Sequence, residues 1–192
     1  TLEGLPLSDK IQAAFFQSVT TRTAGFASLP QENLKNPTAI LSLLLMFIGG
    51  SPVGTAGGIK TVTAAVLLSI TVSLISGKNS VSLFGRTISK QSVYKAVAVT
   101  VMSFSVMFVS TLLLSAVTNA PALDILFETV SATATVGLSR SLTGALNLLG
   151  KLIIIFTMYF GRVGPISIAI AFGGKNPSRN IIKNPTEEIS IG

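Results

Sequence analysis

The chain has 192 residues, 48% of them hydrophobic and only 11% charged, with a formal net charge of +7. That charged share is under half the ~25% of an average soluble domain, and with a mean hydropathy of +0.69 the composition reads as a membrane protein. Cysteine and histidine are both absent, which excludes disulfides, thiolate chemistry, Cys/His metal centres and histidine acid–base catalysis.

Enzyme chemistry has little else to work with. Glu3, Asp9, Glu32, Asp124, Glu128, Glu187 and Glu188 are the acids, and no two of them make a convincing catalytic pair. No catalytic residue and no cofactor is expected.

The predicted elements begin with a short helix over residues 9–19, too short to cross a membrane and suited to a re-entrant segment. It runs into "TTRTAGF", a threonine- and glycine-rich loop. Residues 37–48 make about half a span, then "GGSPVGTAGGIK" intervenes and residues 61–76 complete the crossing. A basic linker follows over 78–93, expected to be a solvated loop. Residues 94–117 are the one run that reads as an uninterrupted transmembrane helix. A second short helix is expected over 123–131, ending in "TATVGLS", and a second broken helix over 146–172, interrupted by "GRVGP". Residues 173–192 form a tail.

Positive charge collects in and just after the linker (Lys78, Arg86, Lys90, Lys95) and in the tail (Lys175, Arg179, Lys183). Basic segments between apolar spans follow the positive-inside pattern, so both are placed on the cytoplasmic side and no nucleic acid is expected as a partner. Backbone that is not helical at membrane depth must be buried or line a water-filled cavity, so the two broken helices point to a pathway.

The chain also repeats itself. Gly25 and Gly137 are separated by the same number of residues as Gly49 and Gly161, where each broken helix gives way. "FFQSVTTRTAGF" matches "LFETVSATATVGL" with one extra residue in the second copy. The second unit has a full helix in front and the first has none, so the chain reads as starting inside a unit. "TVGL" at residues 135–138 is similar to the TVGYG filter of potassium channels, whose backbone carbonyls replace an ion's hydration shell. Glycine permits the backbone angles such a loop needs, and the side chain added by Gly137→Ser is expected to crowd the ring.

Taken together, "TTRTAGF", "GGSPVGTAGGIKT", "SATATVGLS" and "FGRVGPIS" resemble, in that order, the Trk/Ktr/HKT potassium transporter superfamily. The likeness is greatest to the membrane-embedded pore subunit of bacterial Ktr systems, C-terminal half. The resemblance implies an all-α membrane protein built of helix–pore-loop–helix repeats around a pseudo-fourfold, potassium-channel-like pore. Residues 1–77 would be the third repeat without its first helix, and residues 94–172 the fourth. Arg22, Thr23, Ala24 and Gly25, with Ala134, Thr135, Val136 and Gly137, would supply carbonyls to two quarters of a potassium filter (residues 22–26 and 134–138). Gly49, Gly50, Ser51, Pro52, Gly54, Thr55, Gly57, Gly58 and Lys60 would form the intramembrane gate, and Arg162 would face the permeation path. The implied function is potassium uptake, with sodium as a second candidate ion, in a multi-pass protein of a bacterial cell membrane. The implied partners are membrane lipid, a second pore subunit in a homodimer and a cytosolic nucleotide-binding ring subunit.

Plainer readings stand beside these. A glycine-rich stretch is often only a loop or a close packing site; a phosphate loop needs Gly-Lys-Thr in sequence, whereas Ile59 separates Gly58 from Lys60. Arg162 has a structural alternative, since a charge at membrane depth costs roughly 2.5–3.5 kcal/mol and needs a partner. Arg22 is expected to point away from a cation path, toward Glu128 or Asp124. The rival functions are a secondary cation transporter with broken helices and a membrane scaffold without a pathway.

Overall fold

The computed structural model describes residues 2, 4, 6–51, 56–77, 80–83 and 85–164. Pro52, Gly54 and Thr55 of the glycine-rich segment, residues 166–172 of the last broken helix and the 173–192 tail lie outside the described residues.

Helix α1 spans Leu7–Thr20 and carries Asp9 in its first turn, where a negative charge suits the partial positive charge of a helix N-terminus. It ends just before Thr23 and Gly25 take left-handed backbone, which a right-handed helix of L-residues does not pass through. A 3-10 turn at Gln31–Asn33 leads to α2, Asn36–Phe47, with a proline in its first turn; there the missing N–H leaves no bond unmade. Helix α3 covers Thr61–Ile75 and stops ahead of Gly77, at φ 63°.

The linker departs from the expectation of a plain loop. Strands β1 (Ser82–Leu83) and β2 (Arg86–Thr87) pair antiparallel, turning at Gly85 with φ 75°. Helix α4, Lys90–Val117, begins before residue 94 because Ser89 caps it: the Ser92 N–H donates to Ser89 Oγ at 3.2 Å, the ordinary way an orphan helix donor is satisfied. With 28 residues it is about 42 Å long. Among the described residues it is the one helix long and apolar enough to cross a membrane by length and composition.

Pro121 precedes α5, Ala122–Thr133. A single turn, α6 (Leu142–Ala145), and α7, Leu148–Val163, follow. Asn147 caps α7 by accepting from the Gly150 N–H at 2.8 Å. Gly164, at φ 84°, ends it.

The short helix α5 is the centre of the assembly, packed against α2, α4 and α7, while α3 lies on α4. One apolar cluster joins Met46, Phe127, Val130, Ala134, Val136 and Leu138; another joins Leu114, Ile125, Ala132, Leu142, Leu146 and Ile154. Phe127 is wholly buried, and burying such a side chain contributes about 1.5–3 kcal/mol. Enclosure on this scale leaves the polar residues of α5 needing partners. Thr129 shares a hydroxyl bond of 2.8 Å with Thr111 of α4, and Thr133 donates to the Thr129 carbonyl at 2.8 Å. Across the α4–α7 contact, Thr157 donates to Ser110 at 2.8 Å. At Gly161 a Cβ would overlap the Thr133 carbonyl oxygen, so the small residue lets α7 lie directly on the end of α5.

Candidate functional site

The two threonine–glycine loops share one backbone conformation. Thr23 has φ 66° and Gly25 φ 75°; Thr135 has φ 55° and Gly137 φ 91°. A β-branched residue at positive φ is a genuine outlier, so its recurrence at the same place in both loops is informative. In each, left-handed residues alternate with one ordinary residue, Ala24 or Val136.

The donors of these loops turn back onto the helix they follow. Ala24 and Gly25 N–H both donate to the Thr20 carbonyl at 3.2 Å, Thr135 N–H to Ala132 at 3.1 Å and Val136 N–H to Ser131 at 2.9 Å. Gly137 N–H donates to Ser131 Oγ at 3.2 Å. Among the described residues, no hydrogen bond ends on the carbonyl oxygens of Arg22, Thr23, Ala24, Gly25, Ala134, Thr135, Val136 or Gly137. The loops therefore present carbonyls that no donor among the described residues meets, beside the negative C-terminal ends of α1 and α5. The two also meet: a Cβ on Gly25 would overlap the Val136 carbonyl oxygen. Gly137 differs, with open space around its missing Cβ. Within this chain, substitution there is opposed by its φ of 91° and not by a contact.

The ends of the glycine-rich segment pair with each other against the second loop. Ile48 and Ile59 form a parallel bridge, with Gly49 N–H donating to Ile59 at 2.9 Å, Ile59 N–H to Phe47 at 3.1 Å and Thr61 N–H to Gly50 at 3.2 Å. Gly57 N–H donates to Thr135 Oγ1 at 3.0 Å. A Cβ on Gly57 would lie 2.8 Å from the Ala134 carbonyl, and Gly58, at φ 69°, would meet Ala134 Cβ at 3.3 Å. Lys60 Nζ donates to the Ala56 carbonyl at 3.2 Å. Ser51 is exposed. The structure thus brings Gly49, Gly50, Gly57, Gly58 and Lys60 to one loop that touches Thr135 of the second carbonyl loop. Gly58 shares a small cleft with Ser103, Thr133 and Gly161. Arg162 follows Gly161 in the last turn of α7.

Sequence reasoning missed the side chains that hold the loops from behind. Glu128 is only 5% exposed. It accepts from Ser139 Oγ at 2.7 Å and, in a short bond, from Thr143 Oγ1. At the corresponding place on α1, Gln17 donates to Gln31 at 2.7 Å. Each helix therefore reaches forward from one position to the segment beyond its loop. The expected partnership of Arg22 with Asp124 or Glu128 is not made; Arg22 is exposed. Asp124 pairs instead with Arg140, Nε to Oδ1 at 2.7 Å. The signal for these was in the repeat alignment, which sets Gln17 beside Glu128, and in the single arginine of "TATVGLSRSL".

The chain is thus an apolar helical assembly in which two loops of the same backbone conformation follow the short helices α1 and α5. Over residues 2–184 the sequence matches the TrkH family of cation transport proteins, and the chain belongs to that family, one of transporters rather than enzymes. It is 41% identical over its full length to "Ktr system potassium uptake protein B" of Bacillus subtilis (strain 168), covering 43% of that protein. It is 37% identical over 190 residues to "Potassium/sodium uptake protein NtpJ" of Enterococcus hirae, covering 96% of this chain and 42% of that protein. The chain thus spans under half the length of these relatives. The fold is similar to the crystal structure of the potassium transporter TrkH from Vibrio parahaemolyticus, with a TM-score of 0.76 at 22% identity, covering 92% of this chain and 39% of that one.

Proposed function

We propose that the chain supplies two of the four pore-loop repeats of a potassium-uptake pathway in a bacterial cell membrane. In this reading, residues 1–77 are the third repeat without its first helix and residues 94–172 the fourth. α1 and α5 are pore helices, Arg22–Gly25 and Ala134–Gly137 are quarters of a selectivity filter, and the segment from Gly49 to Lys60 is a gate. The observation that carries it is the paired Thr–Gly alternation of left-handed residues. In this reading it leaves carbonyls that no donor among the described residues meets free to face an ion, as a coordinating ring requires. The helix C-termini add a favourable field for a cation, and the likeness to potassium uptake proteins supports potassium as the ion. Sodium is the second candidate, from the relative named for both ions.

Contact between the Gly57 N–H and Thr135 supports a gate that senses, and is held by, the filter loop. Arg162, following the glycine packed on the end of α5, is assigned to the path below. A homodimer of pore subunits and a cytosolic nucleotide-binding ring subunit complete the assembly, with the β1–β2 hairpin and the start of α4 on the cytoplasmic side, and the span is multi-pass. The test is potassium uptake by the full-length polypeptide in cells lacking other potassium uptake, with sodium as competitor. Saturable uptake that prefers potassium supports the reading; no cation uptake, with the protein in the membrane, contradicts it.

A further inference from the structure

We propose that Arg140 is a positioning residue that fixes one carbonyl loop against the other and thereby sets how well the site separates potassium from sodium. The inference rests on the filter reading above.

Its guanidinium is held through Nε and Nη1. The side chain is 10% exposed. Nε donates to Asp124 Oδ1 at 2.7 Å, and Nη1 donates to the backbone carbonyls of Gln31 at 3.0 Å and Leu34 at 3.2 Å. The Phe127 ring centroid lies 6.0 Å away. Asp124 stands in the first turn of α5, whose far end carries the second loop. Gln31 and Leu34 belong to the segment beyond the first loop, more than a hundred residues earlier in the chain. Gln31 is in turn locked to α1, exchanging bonds of 2.7 and 3.2 Å with Gln17. The last residue of α1, Thr20, accepts from both Ala24 and Gly25.

A continuous polar path therefore runs from one loop to the other: α1, Gln17, Gln31, Arg140, Asp124, α5. The loops also touch directly, where Gly25 meets the Val136 carbonyl. One contact alone would leave the two free to rock about it; the clasp at Arg140 supplies a second fixed point. Carbonyl selectivity depends on cavity size or on the field of the coordinating dipoles, and both change when one loop shifts against the other. A planar guanidinium suits this task, because its rigid fork serves a carboxylate and two carbonyls at once; a lysine ammonium on a flexible stem does not.

The test uses the full-length protein and compares half-saturating potassium and sodium concentrations for uptake. Arg140→Gln is expected to lower potassium-over-sodium discrimination roughly five- to tenfold at unchanged membrane protein level. Arg140→Lys should recover only part of the loss. The doubly neutral Asp124→Asn/Arg140→Gln should be as impaired as Arg140→Gln, because the clasp and not the charge is missing. Discrimination unchanged in Arg140→Gln, or restored in the double variant, overturns the proposal. Should Arg140→Gln not accumulate, Gln31→Leu cuts the path at Gln17 while leaving the ion pair and the backbone acceptors. It should lower discrimination in the same direction, and an unaltered value there overturns the proposal too. Gly25→Ala, measured alongside, separates the two readings. If it changes discrimination while the Arg140 variants do not, the clasp alone is wrong; if it too changes nothing, the filter reading fails and the clasp with it.

Discussion

Glu128 shows how much one side chain does in this fold. A carboxylate buried on α5 is tolerable only because two hydroxyls donate to it, and those hydroxyls, on Ser139 and Thr143, anchor the segment that leaves the second loop. Glu128→Ala would remove the acceptor both share, leaving them only their mutual bond of 2.9 Å, and open space beside a cavity of about 320 Å³. We expect it to lower the unfolding free energy of the detergent-solubilised protein by roughly 2–4 kcal/mol, read as a fall in thermal unfolding midpoint. An unchanged midpoint would mean that water replaces the carboxylate at no cost. Gly25 and Gly137 illustrate a finer distinction. Both need left-handed backbone, but only Gly25 is also pressed against another strand of chain, so alanine there carries a steric as well as a conformational penalty.

At the scale of elements, α5 is held by α4 and α7, and those two are held to each other through hydroxyls. Thr157→Val removes the donor that Ser110 meets at 2.8 Å while keeping the shape. In an apolar bundle such a bond is worth about 0.6–2 kcal/mol. The expected result is a modestly lower unfolding midpoint with unaltered ion discrimination; a change in discrimination would mean that the α4–α7 contact reaches the loops. The glycine-rich segment behaves differently, because its fit against the second loop depends on the absence of side chains. Gly57→Ala would drive a methyl into the Ala134 carbonyl and Thr135 Oγ1, pushing the segment away. As a gate, it should then pass more ion: uptake rate rises severalfold, on the order of the ~1 kcal/mol of a lost neutral hydrogen bond, with selectivity retained. An unchanged rate would make the segment a packing loop.

Over the whole molecule, apolar residues cover the outside as well as the core. Phe104, Phe108, Leu112, Ile155 and Phe156 are all more than half exposed, which suits lipid or further protein and would be a liability in water. This much was legible in the sequence, because composition and hydrophobic run length act residue by residue. The family was legible too, since four ordered motifs carry it. Helix ends were less so: α4 starts at Lys90 because a serine cap outweighs the basic start of the run. Least legible were the partners of the charges. Arg140 reaches carbonyls more than a hundred residues away, a contact fixed by how distant segments of the chain dock, whereas reading along the chain pointed to Arg22.

The central claim is that Arg22–Gly25 and Ala134–Gly137 coordinate the transported cation through their backbones. It is tested most directly by Gly25→Ala in the full-length protein, comparing potassium and sodium uptake in reconstituted vesicles. With the protein inserted in equal amount, the account predicts that potassium-over-sodium discrimination falls by about tenfold or more, consistent with backbone strain of ~1–3 kcal/mol at the coordinating loop. Discrimination equal to that of the unsubstituted protein would contradict it.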